Sequence, residues 1–227
     1  SDQWTNILSG VDLIHKKLDK DAYAFTAPLI TDATGKKFGK SEGNAVWLDA
    51  KKTSPFRFYQ FWINTDDKNV VKFLKYYTFL SLEEIKSLEN SVIGAPEKRE
   101  AQKALAEKMT IFVHGEGANE RAKKITENLF AGKIKDLDEK DLKEIFIYYS
   151  VKKLEKIKGL NIVDFLVLSE VVSSKRQARE DIQNGAIELN GQKIKDLSQI
   201  VGEKDLLFGQ YIIAKRGKRD YKFISLR

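Results

Sequence analysis

The chain has 227 residues and a net charge of +7, from 40 Lys and Arg residues against 33 Asp and Glu residues. Its hydrophobic content of 42% and charged content of 32% are typical of a globular protein and argue against a disordered chain. It has no cysteine, which excludes disulfides and thiolate-ligated zinc, and no apolar run of the ~20 residues that a membrane span requires. The modest positive charge is compatible with an anionic partner but does not require one.

The first 50 or so residues have the pattern of an α/β domain. Residues 4–18 carry apolar side chains at helical spacing and predict an amphipathic helix. Residues 27–31 predict a short buried strand, and a loop rich in glycine and lysine follows. Because so short a segment cannot close a doubly wound sheet, and because the chain begins with Ser1, we expect the chain to be part of a longer protein with further strands upstream.

From residue 53 to about residue 150 the signals are helical, and we expect about five helices. Ser81 and Glu84 form a capping box before an apolar run, and Pro96 is placed in the first turn of a later helix. The aromatic residues between 56 and 62 suit stacking on nucleobases, but such residues more often form a core.

The C-terminal third predicts a smaller domain of mixed helix and strand. Residues 151–158 are rich in lysine and predict a solvated linker. Two helices follow, over residues 162–168 and from Ser173 or Ser174 to Asn184. The pair Asn190-Gly191 predicts a type I′ hairpin turn, and two further strands complete the pattern at residues 208–214 and 221–226.

One loop combines the residue types that a polyphosphate attracts. It reads Lys36-Lys37-Phe38-Gly39-Lys40-Ser41. Each lysine is a compact cation, the glycine permits close approach of the backbone, and the serine adds a hydrogen bond. Cations placed where charge develops on a leaving pyrophosphate lower the barrier of nucleotidyl transfer. The spacing alone is also compatible with a basic surface turn, and it is not a Walker loop.

A second cluster of basic residues begins at the N-cap Ser174. A helix N-terminus has a positive dipole end, and the basic side chains in its first turns would extend a phosphate-binding edge. A solvated helix and a basic hairpin tip remain the alternative on charge alone. The candidate RNA-binding residues are Ser174, Lys175, Arg176, Arg179, Lys215, Arg216, Lys218 and Arg219.

Several segments occur in the order and spacing of one known family. Ser1-Asp2-Gln3-Trp4, the Lys-Phe-Gly-Lys-Ser loop at 37–41 and the aromatic segment 53–65 resemble successive segments of bacterial-type tyrosyl-tRNA synthetases, which are class I aminoacyl-tRNA synthetases. The Ser-Lys-Arg-Gln-Ala-Arg and Asn-Gly motifs resemble the S-four-like RNA-binding domain of the same family. The chain is thus similar to the C-terminal portion of such an enzyme, without the N-terminal half of the catalytic domain.

The resemblance implies an α+β multidomain fold. Residues 1–53 would be the remnant of a Rossmann-type α/β catalytic domain with its signature loop, and residues 54–150 an all-helical anticodon-binding domain. The linker would cover residues 151–158, and the S-four-like RNA-binding domain residues 159–227.

The resemblance also implies a function, that of a tyrosine–tRNA ligase. ATP would be a substrate accompanied by Mg²⁺, without a tightly bound metal, and the partners would be tyrosine and tRNA-Tyr. The parent enzyme would be a cytoplasmic homodimer with no membrane association. Lys37, Lys40 and Ser41 would be the catalytic residues that hold the ATP phosphates. The residues that bind ATP or the adenylate would be Asp2, Gln3, Phe38, Gly39 and Lys40.

Two departures from the family pattern bear on activity. Thr5 stands where the family has glycine, and the chain contains no His-Ile-Gly-His type motif. The two histidines, His15 and His114, belong to no such pair, and we expect no catalytic or metal-binding role for them. This chain by itself is therefore expected to bind tRNA without activating tyrosine. The alternative is a non-catalytic RNA-binding module or paralogue.

Overall fold

The computed structural model describes residues 2–27, 29–31, 46–155, 159–218 and 220–226. The chain divides into two compact units, residues 1–45 and 46–227. None of the helices in these described ranges is both long and apolar enough to cross a membrane.

The first unit contains helix α1, Asp2–Leu18, which confirms the predicted amphipathic helix. The prediction of a buried strand at 27–31 is confirmed only in part: Ala27 and Leu29 are exposed and lie in irregular backbone, whereas Thr31 takes part in a β-bridge.

The second unit begins with six α-helices, one more than the sequence suggests. They are α2 (Pro55–Ile63), α3 (Asp67–Tyr77), α4 (Leu82–Gly94), α5 (Glu100–His114), α6 (Glu116–Phe130) and α7 (Glu139–Tyr148). The capping box of Ser81 and Glu84 is confirmed, and Asp138 with Asp141 forms a second one at the start of α7. Pro96 does not enter α5, since residues Pro96–Lys98 form a separate 3₁₀ turn and Arg99 has a left-handed backbone.

Aromatic side chains of α2 form the centre of this helical domain. Phe56, Phe58, Tyr59 and Trp62 are 1–5% exposed, which confirms the interpretation that they are core residues. Burial of such side chains contributes roughly 1.5–3 kcal/mol each. A buried hydrogen bond of 2.6 Å from Gln60 Nε2 to Thr126 Oγ1 connects α2 to α6.

The remaining residues form an α+β domain with a five-stranded sheet in the order β1-β7-β6-β3-β4. Its strands are β1 (Val151–Leu154), β3 (Ile187–Leu189), β4 (Gln192–Lys193), β6 (Tyr211–Arg216) and β7 (Asp220–Leu226), while β2 (Leu160–Asn161) pairs with β5 (Ile200–Val201). Helices α8 (Ile162–Leu168) and α9 (Lys175–Gln183) complete the domain. The hairpin prediction is confirmed, because Asn190 and Gly191 both have positive φ between β3 and β4.

The predicted linker at 151–158 is corrected by the structure for its first four residues. They form β1, which pairs in parallel with β7 at the edge of the sheet. An edge strand tolerates charged side chains on its exposed face, so a lysine-rich sequence is compatible with a strand as well as with a linker. The pairing partner, β7, lies about 70 residues away along the chain, so local sequence does not reveal it.

Candidate nucleic-acid interface

Helix α9 presents the predicted basic residues on the surface of the C-terminal domain. Ala178 and Ile182 are buried and anchor the helix to the core, which turns the opposite face outward. Ser174 is the N-cap, and its Oγ accepts a hydrogen bond of 3.2 Å from the backbone N–H of Gln177. This capped N-terminus has the positive dipole end that favours a phosphate group.

The basic side chains of α9 are solvent-exposed, and two of them form surface ion pairs. Lys175 Nζ lies 2.7 Å from Asp164 Oδ1, and Arg176 Nε lies 3.3 Å from Glu180 Oε1. The side chain of Arg176 is 88% exposed, and Arg179 also lies on the exposed face. Exposed pairs of this kind contribute only about 0–1 kcal/mol, so a phosphate can compete for both cations.

The predicted residues on β6 have more buried surroundings. Arg216 Nε lies 2.8 Å from Asp181 Oδ2 and so connects β6 to α9. Lys215 Nζ lies 3.4 Å from Glu188 Oε2, and both side chains are less than 20% exposed. These two cations therefore have structural partners, which the sequence pattern did not indicate.

A groove of about 520 Å³ brings the start of α9 together with strands β6 and β7. Its lining includes Ser173, Gln177, Arg216 and Lys222. Glu170 also lines it, and a hydrogen bond from Lys152 lowers the pKa of the Glu170 carboxyl below its ordinary value. The groove thus contains charges of both signs, whereas the outer face of α9 is predominantly basic.

Lys222 lines the groove but is absent from the candidates predicted from the sequence. The signal that could have identified it is the alternation of side chains between the two faces of β7. Two-residue periodicity places Lys222 and Asp220 on one face of the strand. Both line the groove beside α9.

The remaining predicted residues are distributed unevenly over the structure. Lys218 is exposed in the β6–β7 turn, and Gln3 is exposed on the first turn of α1. Arg219 and the side chain of Asp2 lie outside the described residues, as does the whole loop of Lys37, Phe38, Gly39, Lys40 and Ser41. The predicted ATP site and the predicted RNA-binding role therefore both stay predictions. The structure places Ser174, Lys175, Arg176 and Arg179 together on the first turns of α9 and their N-cap.

Neither of the two histidines belongs to the C-terminal domain. His15 is exposed on α1, and His114 ends α5 with its ring 4.9 Å from that of Phe58. Burial lowers the pKa of His114 below its ordinary value. Within the described ranges, no group of three or more His, Asp and Glu side chains is arranged to hold a metal ion.

Comparison with known proteins identifies relatives over the whole chain. Residues 1–131 match the family model of class I tRNA synthetases (W and Y), and residues 141–224 match that of the tyrosine–tRNA ligase SYY-like C-terminal domain. Tyrosine–tRNA ligase 2 of Enterococcus faecalis is 51% identical over 221 residues, covering 97% of this chain and 53% of the relative. The tyrosine–tRNA ligase of Streptococcus suis is 50% identical over 225 residues, or 99% and 54% of the two chains.

The chain thus spans about half the length of these relatives. Among solved structures, a C-terminally truncated mitochondrial tyrosyl-tRNA synthetase of Coccidioides posadasii is 33% identical with a TM-score of 0.45. That similarity covers 55% of this chain and 37% of the fungal one.

Proposed function

Because the chain belongs to the class I tRNA synthetases (W and Y), we propose that it is the tRNA-binding part of a tyrosine–tRNA ligase. The observation that carries this proposal is the capped N-terminus of α9 with its exposed cations. It lies inside the region that matches the C-terminal domain of tyrosine–tRNA ligases. We propose that this domain is S-four-like, that it grips tRNA-Tyr through α9, and that the helical domain binds the anticodon.

Phosphate contacts would come chiefly from Lys175, Arg176 and Arg179, whose side chains are exposed. Arginine suits this role because its planar fork can contact a phosphate through two hydrogen bonds. Lys218 would extend the same surface from the β6–β7 turn. Lys215 and Arg216 would act mainly through their carboxylate partners, by holding β6 against its neighbours.

Tyrosine activation is proposed for an enzyme of the relatives' full length. There, Lys37, Lys40 and Ser41 would hold the ATP phosphates together with Mg²⁺, and Asp2 and Gln3 would contact the adenylate. Such an enzyme would be a homodimer and would work in the cytoplasm, where translation takes place. Residues 1–53 would form the end of its Rossmann-type domain.

The tRNA-binding role is tested with the 227-residue chain and a fluorescently labelled tRNA-Tyr transcript. We compare the wild-type chain with the double variant Arg176→Ala and Arg179→Ala over a series of salt concentrations. The variant should bind more weakly. The negative slope of log K against log [salt] should become shallower by up to about 1.4, at roughly 0.7 per lost phosphate contact. A matched control, Lys16→Ala with Lys17→Ala, removes the same charge from α1 and should leave the slope unchanged.

An unaltered slope in the α9 variant would contradict the proposed role of this helix. Equal losses in the α9 and α1 variants would show that only net charge matters. The ATP site has a separate test in the full-length enzyme. There Lys40→Ala should slow tyrosine-dependent ATP–pyrophosphate exchange and leave tRNA affinity unchanged, and a normal exchange rate would remove Lys40 from the site.

A further inference from the structure

The C-terminal domain contacts the helical domain at three separate points. The first lies where the chain passes from α7 into β1, with only Tyr149 and Ser150 between the two elements. The ring of Tyr149 stacks on that of Phe223 at 4.4 Å and 9°, and the ring of Phe146 lies 4.4 Å from that of Tyr211. Aromatic pairs of this kind are worth roughly 0.5–1.5 kcal/mol beyond their buried area.

The second point lies at the C-terminal end of α6. The hydroxyl of Tyr221 donates a hydrogen bond of 3.3 Å to the backbone carbonyl of Leu129. The ring of Phe130 meets that of Tyr221 edge-on at a centroid distance of 5.7 Å. Strand β7 therefore contacts α6 through Tyr221 and α7 through Phe223, whose ring lies 5.5 Å from that of Phe146.

The third point is a backbone contact between two glycines. A Cβ atom placed on Gly191 would lie 1.9 Å from the carbonyl oxygen of Gly132 and 3.0 Å from its carbonyl carbon. Neither backbone atom can swing aside as a flexible side chain would. Only glycine at position 191 therefore allows the β3–β4 turn to rest on the turn that follows α6.

We propose that these three contacts lock the C-terminal domain in one orientation on the helical domain, with Gly191 as the positioning residue. A single contact would permit rotation, whereas three separated contacts fix the orientation of one body on another. The consequence for RNA rests on the proposed function. RNA would bind α9 and the helical domain as one preformed surface, so the affinity is not reduced by the free-energy cost of ordering the two domains.

The test compares Gly191→Ala with a glycine variant that has the same backbone strain but no clash. Gly209 has φ +69°, close to the +78° of Gly191, and a Cβ there would meet nothing within 4 Å. Gly132→Ala is a second control, since its Cβ would meet only ordinary contacts at 3.8 and 3.9 Å. The three variants therefore separate local strain in a turn from loss of the contact between the domains.

The structural readout is hydrogen exchange of the full chain, together with its radius of gyration from small-angle X-ray scattering. In Gly191→Ala, peptides covering the turn 129–134 should exchange roughly tenfold faster, and the radius of gyration should increase. Peptides from the buried part of β6 should stay protected, which shows that the C-terminal domain itself remains folded. Both control variants should keep the wild-type radius of gyration. Gly209→Ala should also leave the exchange of peptides 129–134 unchanged, because its strained turn lies away from that segment.

Phe130→Ala provides an independent test at the second contact. The ring is 51% exposed, so its removal should loosen the joint without unfolding either domain. The proposal is overturned if Gly191→Ala and Phe130→Ala both exchange and scatter like Gly209→Ala.

The proposed effect on RNA affinity is measured with the labelled tRNA-Tyr transcript. Gly191→Ala should lower affinity severalfold with an unchanged salt slope, because every cation is still present and only the preformed arrangement is lost. An affinity equal to that of Gly209→Ala would refute this half of the proposal. A wild-type chain that fails to bind the transcript would instead overturn the proposed function, while the exchange data would still decide whether the joint exists.

Discussion

Asn190 connects the β3–β4 turn to two other parts of the C-terminal domain. Its Oδ1 accepts a hydrogen bond of 2.8 Å from the backbone N–H of Ile213, and its Nδ2 donates one of 2.6 Å to the carbonyl of Asp205. Its backbone lies at φ +50°, a region that asparagine tolerates better than most residues. The substitution Asn190→Ala should therefore destabilise this domain through three separate effects.

The expected magnitude follows from these contacts. Ile213 is 1% exposed, so its N–H loses its acceptor with no solvent to replace it, at about 1–3 kcal/mol. Loss of the hydrogen bond to Asp205 adds about 1 kcal/mol. Alanine at positive φ adds about 1 kcal/mol more. The sum, roughly 3–5 kcal/mol, is a large fraction of the 5–15 kcal/mol that is typical of a domain.

Two companion substitutions separate the effects. Asn190→Asp keeps the acceptor for Ile213 but replaces the donor to Asp205 with a second acceptor oxygen, so it should cost at least about 1 kcal/mol. Asn190→Gly removes both side-chain hydrogen bonds but relieves the backbone, and it should fall between the aspartate and alanine variants.

Hydrogen exchange of β6 peptides is the suitable assay, because the three tryptophans (Trp4, Trp47 and Trp62) all lie outside this domain. The free energy of opening obtained from slow β6 amides should decrease in the order wild type, Asn190→Asp, Asn190→Gly, Asn190→Ala. A loss below about 1 kcal/mol for Asn190→Ala would refute the reasoning from the buried N–H. Equal losses for Asp and Ala would show that Ile213 does not depend on the side-chain acceptor.

Three further predictions concern the helical domain. Arg121→Met should lower the free energy of unfolding in urea by about 3 kcal/mol, because Asp141 is 2% exposed and loses a partner at 2.6 Å. A loss below about 0.5 kcal/mol would contradict this. Burial lowers the pKa of His114, so the folded state resists its protonation and wild-type stability should fall as pH drops below about 6.5. His114→Gln should flatten that acid dependence in thermal melts, and an identical pH profile would show that His114 is not responsible. Burial raises the pKa of Tyr59 to about 12 from 10.0, so stability is lost as pH rises from 10.0 towards 12. Tyr59→Phe should lose less stability than the wild-type chain over that alkaline range, as measured by urea unfolding at each pH. Equal losses in the two chains would show that ionisation of Tyr59 is not the cause.

The sequence determined those features that depend on near neighbours in the chain. The capping boxes at Ser81 and Asp138 follow from hydrogen bonds between residues three apart. The Asn190-Gly191 turn follows from two residues that accept positive φ. The same is true of α8, whose bounds, Ile162–Leu168, agree with the predicted helix.

Tertiary structure decided what depends on partners distant in the chain. Strand β1 exists because β7 supplies its hydrogen bonds, so its lysine-rich sequence alone resembled a linker. Lys215 and Arg216 count as free cations in the sequence, but folding brings Glu188 and Asp181 within 3.4 and 2.8 Å of them. Local periodicity carries no information about which carboxylate will lie opposite.

The basic character of α9 was thus determined by the sequence alone, since a helix with two buried anchors exposes its remaining side chains. Which cations stay available, and how the two domains sit on each other, was decided only by the tertiary structure. The reason is physical: caps and turns are fixed by contacts within a few residues. Gly191 meets Gly132, by contrast, only after both domains have folded and packed together.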